Sequence, residues 1–392
     1  MAKILLLTDF SSGYSRNLLK GIVRYSKEVG NWSFQRMPLY YRMLYGENGV
    51  VEWAKKWQAD AIIAQLSDVN IELLNDLNIP IIVQNYRDRN KAVSNLTGDY
   101  FNTGVMAAKF FLNRGYRNFA FYGFKGAIWS RERADGYSHE IEKQGYKLAV
   151  LENDNKDKEE WSYNHTVLGN WLQSLPKPVA LFACDDHFAL QISETCNVYN
   201  INVPDDIAIL GVDNDDLLCN ISDPSLSSIV LDVENGGYNA GKLLHQLITK
   251  EITEPFNIVV NPLIIERRKS TEKYAVSDKN IRTILNYIEK NYANHLSVEE
   301  LVKQVPLSRR VLEKKFKEET GESLYQYIQN YRIDQFTRLL ITTDYSLFEA
   351  ALQSGFENYK NVSRIFRKYK SLSPAEYRKR YKCTSSVEEI EH

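Results

Sequence analysis
From Ile4 to Ile265 short apolar runs alternate with longer amphipathic stretches, and no other feature limits the fold as strongly. The runs are ILLLT at Ile4–Thr8, AIIA at Ala61–Ala64, IPIIVQ at Ile79–Gln84, FAFY at Phe119–Tyr122, KLAVL at Lys147–Leu151, VALFA at Val179–Ala183 and IAILG at Ile207–Gly211. Short runs that are apolar on both faces read as buried parallel strands. The stretches between them have the period and length of crossover helices; Val105–Asn113 is one, with Gly115 placed to end it. The first 265 residues are expected to be α/β and long enough for two lobes.

After Glu266 the chain turns polar (ERRKSTEKYAVSD), strand patterning stops and everything beyond reads helical. A near-repeat lies there. Ser297 with Glu300, and Ser346 with Glu349, stand in capping-box relation just ahead of an apolar stripe. The first stripe continues through Leu307, Leu312 and Phe316, the second through Phe356, Val362 and Phe366, at an offset of 49 residues at the caps and 50 at the phenylalanines. Each unit reads as a short helix, a turn of three or four residues and a basic second helix, a helix-turn-helix written twice. A long helical pattern, Ser323–Thr342, sets their spacing. The expected organisation is a two-lobed domain at 1–265, a linker at 266–277, a double helix-turn-helix domain at 278–382 and an acidic tail at 383–392.

Charge follows the same division. The whole chain carries a net charge of −1, but residues 1–277 carry −5, residues 278–382 carry +7 and the tail carries −3. A basic end behind an acidic body is the footprint of a polyanion-binding module. With Leu312 and Phe316 turned to a core, Arg309, Arg310, Glu313, Lys314 and Lys317 remain outside; with Val362 and Phe366 inside, Tyr359, Lys360, Asn361, Arg364 and Arg367 lie elsewhere on the helix. Long donors on a helix reach base edges and phosphates in a major groove, and two such helices about 34 Å apart enter successive grooves on one face of a duplex.

Other classes find little support. No apolar run approaches the ~18 residues of a membrane span, and MAKILLLTDF lacks the layout of a signal peptide, so a cytoplasmic protein is expected. Cys184, Cys196, Cys219 and Cys383 form no CxxC pair and are expected to be buried thiols. The stretch Gly236–Lys242 fits GxxxxGK, but Leu243 replaces the magnesium-binding hydroxyl, and Leu243, Leu244 and Leu247 continue a helix through it. The six histidines contain no HxxxH or HxxH pair, and no GxSxG elbow occurs, so neither a metal nor a cofactor is expected.

Two resemblances sharpen this reading. SVEELVKQVPLSRRVLEKKFKEETGESL, YSLFEAALQSGF and SRIFRKYKSLSPAEYRKRY resemble the DNA-binding domain of the AraC/XylS family over about 100 residues. That likeness implies groove-facing roles for Arg310, Glu313 and Lys314 in the first unit and Tyr359, Lys360, Asn361 and Arg364 in the second. Pro306 and Ser371 stand where that family usually has glycine.

Polar residues also follow several predicted strands: Asn85, Asp185 with Asp186, and Asp213. In open α/β sheets the carboxyl ends of strands face the ligand crevice. Carboxylates, an amide, an arginine and an aromatic face suit a small polyhydroxylated ligand. VQNY, TGDYFNTG, RERADGY, CDDHFAL, INVPDDIAILGVDN and DPSLSSI resemble the ribose-binding-protein/lac-repressor family over about 260 residues. This implies ligand roles for Asn85, Arg133, Asp185 and Asp213, with Tyr14 as an aromatic wall.

The combined expectation is a sugar-responsive DNA-binding transcription factor, an activator of sugar-catabolic genes with D-xylose as first candidate effector. Its implied partners are operator DNA, RNA polymerase and a second copy of the chain. The alternative is a sugar-processing enzyme domain tethered to a nucleic-acid binder, for which Asp185 and Asp213 nominally supply an acid–base pair.

Overall fold
A computed structural model describes residues 1–8, 11–37, 39–66, 74–85, 87–153, 165–294 and 296–382. Two compact units result: Met1–Lys109 with Asn118–Glu272, and Phe110–Arg117 with the residues from Lys273 onward. The tail expected at 383–392, with Cys383, lies outside the described residues.

The first unit contains two six-stranded sheets. The first sheet orders β11(Asn257–Val260), β5(Ser94–Gly98), β4(Ile81–Asn85), β3(Ala61–Leu66), β1(Lys3–Leu7) and β2(Ser33–Arg36), every pair parallel. The second orders β12(Pro262–Glu266), β10(Ser227–Leu231), β9(Ile207–Val212), β8(Val179–Ala183), β6(Asn118–Phe124) and β7(Leu148–Asn153). Its pairs are parallel except β10 with β12, which runs antiparallel and closes that edge. Every residue of β8 and β9 is buried, as their unbroken apolar runs require. KLAVL behaves differently: β7 is an edge strand with Val150 exposed, because one of its neighbours is missing.

Helices α1(Gly13–Glu28), α2(Leu39–Trp57), α3(Tyr100–Asn113), α4(Ile128–Glu142), α5(His165–Ser174), α6(Asp186–Val198), α7(Asp216–Ile221) and α8(Val233–Ile248) connect the strands. Helix α3 starts five residues before the expected Val105 and ends, as expected, before Gly115, whose φ of +83° terminates it. The GxxxxGK stretch is the middle of α8, with Leu243 and Leu244 buried. Past β12, residues assigned from sequence to a linker are packed on the second sheet. Ser270 and Thr271 are fully buried, and Ser270 donates to the Ile209 carbonyl at 2.7 Å while accepting from the Ser227 amide at 2.8 Å.

The second unit continues with α9(Lys279–Asn291), α10(Val298–Val302), α11(Arg309–Thr320), α12(Leu324–Thr342), α13(Leu347–Gln353), α14(Tyr359–Lys370) and α15(Pro374–Tyr381). Both expected capping boxes form, Ser297 with Glu300 and Ser346 with Glu349, and a third joins Ser373 to Glu376. The turns exceed the expected three or four residues, running over 303–308 and 354–358. The N-caps Ser308 and Asn358 are extended and add to each turn. Pro306 is accommodated in the first because successive tight bonds, such as Gln304 to Leu301 at 3.1 Å and Leu307 to Val305 at 2.9 Å, ask no N–H of it. Leu312 and Phe316 close one core with Ile281, Ile284 and Leu324; Phe336, Phe366 and Tyr377 meet edge-on at 5.5 and 5.2 Å in the other.

Candidate functional site
Arg133 is the centre of the candidate site. It lies on α4, is 3% exposed, and donates from Nη1 to the carbonyl of Cys184 at the end of β8. Its Nη2 stands 3.8 Å from Asp213 Oδ1. The guanidinium carbon is 5.5 Å from the ring centre of Tyr100 and 5.6 Å from that of Trp129. Its Nε has no hydrogen-bond partner among the described residues, and neither has the buried Oγ1 of Thr8, just past β1. An unpaired buried donor is costly, so a polar ligand that reached the Arg133 Nε would gain a hydrogen bond there.

Two carboxylates face this arginine electrostatically. Asp185 follows β8 in an extended conformation and caps α6, accepting from the Phe188 amide at 2.9 Å. Burial raises its pKa, while that amide bond, His187 and Arg133 pull it down. Asp213 follows β9 with a φ of +101°, a conformation that turns its side chain back toward Arg133. Burial pushes the Asp213 carboxyl up to about 7, opposed by Arg133 and reinforced by Asp185 and Asp215. Asp186, paired with Asp185 in the sequence, turns inward instead. It is 1% exposed, accepts from Ser228 Oγ at 2.6 Å and the Asp215 amide at 2.8 Å, and so holds the loop that carries Asp213.

Asn85 ends β4 and Tyr14 occupies the first turn of α1, both at the carboxyl edge of the first sheet. The α1 start is tied to the opposite sheet's loop: the Gly13 amide donates to Asp215 Oδ2 at 2.7 Å, and Arg16 lies 3.6 Å from the same atom. Arg89 forks onto Glu132 at 2.5 and 2.8 Å, and Arg131 pairs with Asp88 at 3.0 Å. The two sheets are thus clamped on either side of the crevice by reciprocal charges. The structure brings Arg133 beside Asp213 and within electrostatic reach of Asp185, and adds Trp129, Tyr100 and Thr8, which the sequence reading did not name. Trp129 precedes Arg133 by four residues, so helical spacing alone put it on the same face.

On the second unit, Arg310, Glu313 and Lys314 are exposed on α11, and Lys360, Asn361 and Arg364 on α14, with Tyr359 half-buried at that helix's start. Glu313 accepts from Arg309 at 3.0 Å, and Arg364 donates to Asn361 at 3.2 Å. Two similar helices, each seated on its own core, therefore present donors and acceptors outward, which is the surface a major groove accepts.

The periplasmic binding protein-like domain family matches residues 108–271, and the helix-turn-helix domain family matches residues 301–380. Together with the fold they define a class: a DNA-binding transcription regulator that joins an AraC-type reading domain to a sensor of the sugar-binding type. Similarity runs further, through the whole chain. The xylose operon regulatory protein of Escherichia coli K12 is 27% identical over 384 residues, 96% of each chain. That of Haemophilus influenzae is 27% identical over 386 residues, 96% of this chain and 98% of its own. The solved structure of a xylose-binding transcription activator, xylR, aligns with TM-score 0.60 and 26% identity over 97% of this chain and 98% of that one. These relatives, matched over nearly the whole chain, are transcription regulators and not enzymes.

Proposed function
We propose that the chain is a sugar-responsive activator of sugar-catabolic genes with D-xylose as its effector. One observation carries the sensor assignment: a buried arginine whose Nε has no partner among the described residues, set among Asp213, Asp185, Tyr100 and Trp129. Asp213 and Asp185 accept sugar hydroxyl protons, Arg133 donates to sugar oxygens, Asn85 supplies an amide, and Tyr14 with Trp129 covers the C–H faces. The choice of xylose rests on the two full-length relatives and the xylose-binding neighbour.

Sugar held between the sheets favours the clamped arrangement of Asp215 with Gly13 and Arg89 with Glu132, since a ligand shifts only an equilibrium whose states it binds unequally. The clamped form then favours DNA engagement by both helix-turn-helix units of a homodimer, with Arg310, Glu313, Lys314, Tyr359, Lys360, Asn361 and Arg364 against operator DNA and RNA polymerase recruited nearby. The site of action is the cytoplasm. Among the described residues no helix is long and apolar enough to cross a membrane.

Calorimetric titration of the full chain with D-xylose, alongside other pentoses and hexoses, tests the reading. Xylose is expected to bind in the micromolar-to-millimolar range, about 4–8 kcal/mol, and D213A to abolish the heat. Absence of binding by every sugar, or recovery of chemically altered sugar, contradicts it.

A further inference from the structure
Helix α3 begins beside the sensor arginine and runs on into the turn that ends at Arg117. Its first residue, Tyr100, lies under Arg133. A Cβ on Gly104 would stand 2.0 Å from the Arg133 carbonyl oxygen, and one on Gly136 would stand 1.9 Å from that of Phe101. α3 and α4 therefore touch backbone to backbone, and the helix bearing the sensor arginine has no play against α3.

The other end of α3 and the turn behind it, Phe110–Arg117, group with the helical unit. There the Arg114 guanidinium stacks 4.1 Å from the Tyr274 ring centre, and the Arg114 carbonyl accepts from the Ala275 amide at 2.9 Å. Tyr274 in turn donates to Glu289 on α9 at 2.9 Å. Arg117 Nη2 donates to the backbone carbonyls of Glu318 at 3.2 Å and Glu319 at 2.6 Å. These are among the last carbonyls of α11, which the helix itself leaves unbonded, and a cation there also meets the negative end of the helix dipole. The Glu319 carboxylate holds Ser277 at 2.6 Å, and Lys315 holds Asp278 at 2.6 Å, so the same helix is anchored from its other side by the segment entering α9.

We infer that Arg117 is a positioning residue for DNA recognition: it fastens the C-terminal end of the first recognition helix to α3, so that a change at the sugar site reaches α11 along α3 and not only through the 266–277 segment. This rests on the sugar-response reading above.

The test compares the affinity of the full chain, with and without saturating D-xylose, for a duplex that the wild-type protein selects from a random library in xylose. The R117A variant is expected to keep its xylose affinity within twofold and its xylose-free DNA affinity within twofold. Its xylose-dependent gain in DNA affinity should fall at least fivefold, and R117K, which returns the cation, should restore part of it. An undiminished gain in R117A, or equal losses with and without xylose, overturns the inference. A wild-type chain indifferent to xylose instead overturns the functional reading, and this inference with it. If R117A does not fold, hydrogen exchange on the wild type decides: xylose must slow amide exchange at Glu318–Glu322, and unchanged exchange there contradicts the joint.

Discussion
At Asp213 a positive φ, a half-buried setting and a neighbouring arginine meet in one side chain, and its carboxyl is pushed up to about 7. Its folded value lies above the unfolded one, so protonated Asp213 stabilises the unliganded sensor at low pH, and that contribution is lost as pH rises through about 7. Sugar hydroxyls donate to the ionised form, so binding draws the carboxylate out and releases a proton. Xylose affinity is expected to rise up to about tenfold between pH 6 and pH 8, with proton release near neutrality read by calorimetry in buffers of different ionisation enthalpy. A flat profile would remove Asp213 from the contact set. A second residue-scale expectation concerns Ser371. It ends α14 with φ +58°, donating its amide to Arg367, in a conformation only glycine takes without cost. Ser371→Gly is expected to raise stability by about 0.5–1 kcal/mol, measured by urea denaturation, with no change in DNA contacts.

Elements differ in how openly the sequence announces them. β8 and β9 were legible because both faces are buried and every position is apolar or small. β2 (SFQR), β5 (SNLTG) and β11 (NIVV) were not, because β2 and β11 lie on sheet edges and β5 pairs polar side chains inside. Asn95, for example, is buried yet satisfied by Asn257 at 2.9 Å, a partner 162 residues away that no local pattern reveals. The helix-turn-helix units were legible in their caps and core phenylalanines, which recur in both, though not in the length of their turns. Each recognition helix should therefore read its own half of the site. Arg310→Ala and Arg364→Ala are each expected to cost about 1–3 kcal/mol of operator affinity and to relax base preference over one groove only. Loss spread evenly over all sequences in a binding selection would reduce these arginines to phosphate contacts.

For the molecule as a whole, composition and charge separated a basic end from an acidic body, and two relatives match the chain over 96% of its length. What stayed hidden was the assignment of Phe110–Arg117, which continues a sensor helix in sequence yet groups with the helical unit. Gly115–Arg117 carries no distinguishing pattern; its partners, Val276 and the Glu318 and Glu319 carbonyls, arise only from tertiary packing. Likewise Asp185 and Asp213 were named by the carboxyl-end rule and Arg133 by the family resemblance, whereas Tyr100 and Thr8 needed the folded crevice to be noticed. In the proposed function sugar binding and DNA binding share one equilibrium, and such coupling is reciprocal by thermodynamic necessity. The most direct measurement is the D-xylose affinity of the full chain with and without its selected DNA duplex. Xylose should bind more tightly on DNA, by the same factor by which xylose tightens DNA binding, about 5- to 150-fold. Identical xylose affinities in the two conditions would show that sensor and reader are joined without being coupled.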